Sequence, residues 1–189
     1  MDYYSAVRHD DKLMLVFKQE DITYAKEHGK VGVIIGAQSC DFILHNDIDA
    51  SVKVFHEAGL RVMQIAYNHR SFAADGCYTG TNAGITNDGK KMIRAMQRYG
   101  ITVDLSHVGE LSTLEAMDMS ERPMIFSHSN PKGLYPHARN ITDEQAKKCA
   151  SIGGVVGVTS YPVTLWDGDH FPTVDTLVDC IDYYADLIG

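Results

Sequence analysis

Ile101-Thr102-Val103-Asp104-Leu105-Ser106-His107 is a short apolar run closed by a histidine, and Met124-Ile125-Phe126-Ser127-His128 is a second run of the same build. The residues between them are enough for one helix, so positions 101–128 read as strand, helix, strand: two parallel strands joined by a crossover. Working outward, further runs of this kind occupy positions 13–17, 31–37, 61–66 and 154–160. Their near-continuous hydrophobicity, without strict alternation, fits strands covered on both faces by helices. The chain therefore reads as α/β, with about six β-α units around a parallel sheet.

Helix signals fill the gaps between these runs. Asp47 or Asn46 can cap a helix running toward His56, and Gly59 sits where a left-handed residue leads into the next strand. The same succession of helix, glycine and strand recurs at Gly29, Gly100 and Gly153. Thr142 and Gln145 have capping-box spacing for a helix through Cys149, and Thr173 can cap a last helix through Leu187. Positions 68–86 show no period, and a loop of that length in a compact domain is usually functional.

Composition bounds the function. With 189 residues, 44% apolar and 22% charged, the chain reads as one globular domain over 1–189. Lys plus Arg number 17 against 25 Asp plus Glu, a net charge of −8, and the basic residues are scattered; nucleic acid and anionic membranes are not expected partners. No apolar run approaches the roughly 20 residues of a membrane span, and Met1-Asp2-Tyr3-Tyr4-Ser5 does not open a secretory signal. Cys40, Cys77, Cys149 and Cys180 lie far apart with no C-x-x-C pair, so free thiols in a reducing, cytoplasmic compartment are expected.

Six β-α units suit either an open doubly wound sheet of the flavodoxin type or most of a (β/α)₈ barrel, which usually takes about 250 residues. No Gly-x-Gly-x-x-Gly or Walker-type loop follows any run, so a nucleotide-binding sheet lacks its phosphate cradle. Chemistry in parallel α/β folds collects at the carboxyl ends of strands. There the polar residues are Gln38, Tyr67, His107, His128 and Tyr161. His107 and His128 emerge from successive strands, and neighbouring strands lie about 4.8 Å apart, so both rings can reach one cation. The flavodoxin-type reading leaves this pair unexplained. His9, His28, His45, His56, His69, His137 and His170 show no ligand-like spacing and are expected to be mostly solvated. Arg139, followed by Asn140, falls in the loop after the second histidine strand, where a guanidinium can grip a carboxylate through two bonds.

The segments Asp104-Leu105-Ser106-His107-Val108, Pro123-Met124-Ile125-Phe126-Ser127-His128-Ser129-Asn130, Arg139-Asn140-Ile141-Thr142-Asp143-Glu144-Gln145 and Gly153-Gly154-Val155-Val156-Gly157-Val158 closely resemble the membrane (renal) dipeptidase family of zinc metallopeptidases. The likeness runs from about Asp21 to the C-terminus. It implies a (β/α)₈ TIM barrel of the amidohydrolase type that hydrolyses dipeptides with one or two zinc ions. On that pattern His107 and His128 match the histidine ligands of one metal, Arg139 matches the residue that binds the substrate carboxylate, and Asn140 adjoins it. The mechanism implied is attack of a metal-activated water on the peptide carbonyl.

The sequence departs from that pattern in four places. A first-strand His-x-Asp is not matched, since His9-Asp10-Asp11 precedes the second strand with the wrong spacing, and no last-strand Asp follows Ile188-Gly189. The bridging-Glu position holds Gln38, and a substrate-binding His position holds Tyr67, traits that look like a bacterial branch of the family. Tyr67 is then the donor to the developing oxyanion, and Gln38 a neutral ligand beside the metals. Cys77 is expected to be a plain loop cysteine. These 189 residues are accordingly expected to be an incomplete barrel, nearly inactive alone and prone to self-association; the rival is a barrel segment that binds metal or a partner without turnover.

Overall fold

The structure, a computed structural model, describes Val7 and residues 10–189. Residues 1–5 and His9, on which two of the readings above rest, lie outside that span. The elements in order are β1 (Leu13–Leu15), α1 (Gln19–Glu27), β2 (Val31–Val33), β3 (Ile35–Ala37), α2 (Ile48–Glu57), β4 (Leu60–Gln64), α3 (Asn87–Tyr99), β5 (Thr102–Asp104), α4 (Glu110–Asp118), β6 (Ile125–Phe126), α5 (Asp143–Ser151), β7 (Val155–Val156), a 3-10 turn (Pro162–Thr164) and α6 (Val174–Ile188).

The capping residues act as their chemistry dictates. Asp47 Oδ1 accepts from Ala50 N at 3.3 Å to open α2. At α5 the box closes both ways: Gln145 N donates to Thr142 Oγ1 at 3.3 Å and Thr142 N to Gln145 Oε1 at 2.8 Å. Gly100, at φ 87°, stops α3 and turns the chain into β5, a conformation that a Cβ disfavours.

Run 31–37 is not one strand. It divides at Ile34, giving β2, which pairs with β1 in a two-stranded sheet, and β3, which joins the main sheet. Glycines at 32 and 36 make this run easy to bend, and the register slips between Ile35 and Gly36 where β3 meets β4.

The main sheet has the order β3-β4-β5-β6-β7, every pair parallel. Each new strand is laid on the same side of the last, so among the described residues no point exists where the order reverses. A doubly wound sheet requires such a reversal, and the flavodoxin-type alternative is excluded. Helices cover one face: Met63, Ile65, Val103, Leu105 and Phe126 of the sheet side pack with Met92, Ile93, Met96 and Met117 into one buried cluster. On α3 the buried residues Gly89, Met92, Ile93 and Met96 recur at helical spacing and form the stripe that makes this contact. Because every pair is parallel, all strands of the main sheet point their carboxyl ends the same way, and the loops leaving them share one rim.

Candidate active site

On that rim Gln38, Tyr67, Asn68, His107, His128, Arg139 and Tyr161 line one open cavity of about 420 Å³. Residues from the ends of β3, β4, β5, β6 and β7 thus meet, as a barrel mouth requires. Asn140 is the exception to the expected substrate-binding set. It is 5% exposed, and its Nδ2 donates to the backbone carbonyls of Tyr135 and Thr164, both at 2.8 Å. Its amide ties two loops together behind Arg139, and it lines an adjoining pocket with His107 and Arg139 rather than the cavity that Gln38 and Tyr67 share.

His107 has φ 69°, the left-handed region, which a β-carbon makes unfavourable by about 1–3 kcal/mol. Neighbours hold it there. Its carbonyl accepts from Cys77 N at 2.8 Å, and Val108 pairs with Gly76 in an antiparallel bridge, so the long loop 68–86 is tied to the turn carrying this ring. The loop itself is organised around Asp75, a fully buried carboxylate that accepts from Arg70, from Thr81 Oγ1 at 2.9 Å and from Ala83 N. Burial acts to raise the Asp75 pKa, but the bonds from Ala83, Thr81 and Arg70 outweigh it, and the net shift is downward.

The two expected ligands converge: His107 Nε2 and His128 Nε2 are 2.8 Å apart. His107 Nδ1 lies 2.7 Å from Asn68 Oδ1, an atom that can only accept, so the ring proton sits on Nδ1 and Nε2 is bare. Tyr67 stacks on the His107 ring with centroids 4.2 Å apart and planes inclined by 26°. Burial, reinforced by the charge of Arg139 and by His128, pushes the His107 pKa down to about 3; burial and Arg139 lower that of His128 in the same direction. Both imidazoles are neutral at physiological pH.

Arg139 is 7% exposed and donates from Nη2 to His128 O at 3.1 Å. Among the described residues no carboxylate forms an ion pair with it. A guanidinium removed from water is unfavourable unless its charge is met; burial lowers the Arg139 pKa, and Cys77, Tyr78 and Asp104 act against that. Cys77 lies behind it, its thiol pKa raised chiefly by burial, with Sγ 3.7 Å from Asn68 Oδ1. His28, His45, His69 and His170 are exposed, whereas His137 is half-buried and accepts the Arg139 amide at 3.2 Å. Among the described residues no cluster of three His, Cys, Asp or Glu side chains is placed to hold a metal.

The profile of the membrane dipeptidase family (peptidase family M19) matches residues 1–189, the whole chain. The chain belongs to that family. A dipeptidase of Claviceps purpurea is 29% identical over 185 residues, covering 96% of this chain and 43% of its own length. The crystal structure of an amidohydrolase from Pseudomonas aeruginosa superposes with a TM-score of 0.89 at 34% identity, over 98% of this chain and 56% of the other. A metallopeptidase from Rhodobacter sphaeroides, solved with a phosphinate mimic of the dipeptide L-Ala-D-Ala, has a TM-score of 0.85 at 23% identity, over 93% of this chain and 52% of the other. The chain spans about half the length of the relatives it matches. Its main sheet is a segment of a barrel of the amidohydrolase type.

Three residues of this dipeptidase-family site escaped the sequence reading. Asp104, 3% exposed, reaches Ser127, and Ser127 Oγ is 2.7 Å from His128 Nδ1. Asn68 serves His107 in the same way. Asp104 and Ser127 stood inside the Asp-x-Ser-His and Ser-His-Ser-Asn motifs; Asn68 carried no signal beyond its place after Tyr67.

Proposed function

We propose that this is the site of a zinc-dependent dipeptidase in which His107 and His128 hold one zinc and Arg139 receives the free carboxylate of the substrate. The observation that carries this reading is the meeting of two imidazole Nε2 atoms at 2.8 Å beside a buried, unneutralised guanidinium.

The donor set suits zinc, which takes neutral imidazole nitrogens whose other nitrogen is hydrogen-bonded. The Asn68 bond meets that condition at His107, and the depressed pKa keeps the ring free of a competing proton. Bound zinc would supply a water of lowered pKa and polarise the scissile carbonyl. The chain's own residues do the rest. Arg139 fixes the carboxylate end through paired N–H bonds, which lays the peptide across the histidines. Tyr67, seated against His107, offers its hydroxyl to the developing oxyanion. Gln38 brings an amide oxygen to the cavity but no charge to offset a second dication. Dipeptides as the substrate class are supported by the Claviceps purpurea dipeptidase among the relatives. Four free cysteines support a reducing, cytoplasmic setting, and among the described residues no helix is long and apolar enough to cross a membrane.

Zinc analysis of the wild type and of His107→Ala and His128→Ala, paired with hydrolysis of free and C-terminally amidated dipeptides, tests the proposal. Either substitution is expected to abolish tight zinc binding, and amidation to slow turnover. Unchanged zinc content in both variants would refute the shared site.

A further inference from the structure

We propose that Tyr78 and Tyr161 wall the pocket for the side chain of the substrate's C-terminal residue, and that Tyr78 makes this site favour an aromatic side chain there over a small one. The pocket's place beside the C-terminal residue rests on the carboxylate role proposed above for Arg139; its preference for a ring is a property of the two tyrosines.

Two loops from different strands bring these rings to Arg139. The long loop leaves β4 and crosses the end of β5, where Gly76 bridges Val108 and Cys77 N donates to His107 O at 2.8 Å. That crossing carries Tyr78 to the loop after β6, where its ring meets His137 edge-on with centroids 6.2 Å apart and planes at 84°. His137 Nδ1 in turn accepts from Arg139 N at 3.2 Å, so Tyr78 and Arg139 share a neighbour. Tyr161 arrives after β7 at the head of the 3-10 turn Pro162–Thr164. In such a turn residues three apart stand on one face, and Tyr161 and Thr164 both line the cavity. Asn140 Nδ2 ties Thr164 O to the Arg139 loop at 2.8 Å, which fixes Tyr161 relative to the guanidinium.

A side chain leaves the same carbon that bears the C-terminal carboxylate. With the carboxylate at Arg139, that side chain falls against the rings flanking it, while the peptide group turns toward the histidines. Tyr67 is already covered on one face by His107. Tyr78 and Tyr161 are 44% and 57% exposed, so each keeps a large apolar surface open to the cavity. Tyr78 is also held from behind: its N donates to Asn68 O at 2.7 Å, and His69 lies 6.1 Å from its ring. A ring already fixed in place loses little freedom when a second ring packs on it, whereas a methyl group covers only part of it. Burial raises the Tyr78 pKa, Cys77, Tyr161 and Tyr67 add to that, and Arg139 opposes it. The phenol is therefore neutral at physiological pH and does not repel the carboxylate bound beside it.

Binding of N-acetyl amino acids tests the pocket without requiring turnover, because each carries one carboxylate, one side chain and one amide. NMR titrations of the chain are expected to show N-acetylphenylalanine, offered as both enantiomers, bound about 10–100-fold more tightly than N-acetylalanine. In Tyr78→Ala that ratio should fall below about 3-fold, whereas Tyr78→Phe, which keeps the ring, should retain it. Tyr161→Ala, in a separate loop, should lower the ratio too and carries the test if Tyr78→Ala does not fold. N-acetylphenylalaninamide should bind weakly throughout, since it brings no charge to Arg139. Equal binding of the two acids by the wild type would overturn the pocket and leave Arg139 its role, as would a preference that survives both alanine variants. A preference lost in Tyr78→Phe would overturn the aromatic wall and mark a hydroxyl contact instead. Should acid and amide bind alike, the carboxylate role of Arg139 falls, and with it the assignment of the pocket to the C-terminal residue.

Discussion

Replacing Gly76 with alanine asks whether the long loop is part of the site. A Cβ on Gly76 would stand 2.3 Å from Asn68 C, 2.4 Å from Asn68 O and 2.6 Å from His69 N, all backbone atoms that no rotamer change can move. Ordinary contact begins at 3.4 Å, so the two loop segments must part by about 1.1 Å. Asn68 Oδ1 now lies 2.7 Å from His107 Nδ1; a displacement of that size along the bond stretches it to roughly 3.8 Å, outside hydrogen-bonding range. Overpacking contributes about 1–3 kcal/mol of destabilisation. The orphaned ring N–H adds about 1–3 kcal/mol. A chain of this size loses about 2–4 °C in Tm per kcal/mol, so melting should fall by about 4–24 °C. Zinc affinity should drop by about 10–100-fold as His107 loses its orienting partner. Thermal melts of the metal-free protein and zinc titrations read both effects. Gly80→Ala is the control, since nothing lies within 4 Å of the added carbon. A Gly76→Ala protein that melts within about 2 °C of wild type and binds zinc equally well would refute the coupling of loop and ligand.

Arg139→Lys keeps the charge but loses the two-bond fork, so kcat/KM for free-acid dipeptides should fall by about 10–100-fold and for C-terminally amidated ones far less; equal losses would remove Arg139 from carboxylate recognition. In the metal-free protein the pKa of His107 is depressed from its ordinary 6.5 to about 3 and that of His128 is depressed too. The unfolded chain therefore takes up protons first as pH falls. Stability present above pH 6.5 is lost progressively toward pH 3, by up to about 1.4 kcal/mol per pH unit per histidine. Denaturant melts at several pH values should show that slope flattened in His107→Asn, and an unchanged slope would count against the burial argument. Gln38→Glu should strengthen binding of a second zinc while Tyr67→Phe lowers turnover and leaves metal content alone; a wild type that already holds two zinc ions tightly, unaffected by Gln38→Glu, would show the amide to be no handicap.

The helix boundaries were legible because capping is local. Asp47, Thr142 with Gln145, and Gly100 each act on backbone groups within four residues, so their spacing along the chain is their geometry. The histidine pair was legible for a related reason: a parallel strand ends where its apolar run ends, and two such ends in successive units share a rim. Other features were not. The break of run 31–37 at Ile34 is invisible in hydropathy, since both halves are apolar and what separates them is the choice of neighbour, β1 or β4. Asn140 stood beside Arg139 in sequence, yet the turn through Asn140 aims its amide at Tyr135 and Thr164.

What the sequence by itself determined is the set of parts: parallel strands alternating with helices, two imidazoles and an arginine at the strand ends, a long loop after Tyr67, and the motifs of a family. Periodicity did not decide between an open doubly wound sheet and a barrel segment; the family motifs implied the barrel and the tertiary structure decided it through strand order, which depends on which side each crossover returns, since an amphipathic helix packs equally well in either case. The tertiary structure also decided the chemistry of the pair. Whether an imidazole nitrogen is bare or protonated depends on what its other nitrogen faces, and Asn68 and Ser127 come to His107 and His128 only through folding, as Asp104 comes to Ser127 across 23 positions of chain. Periodicity is a property of neighbours in sequence; a proton's position is a property of neighbours in space.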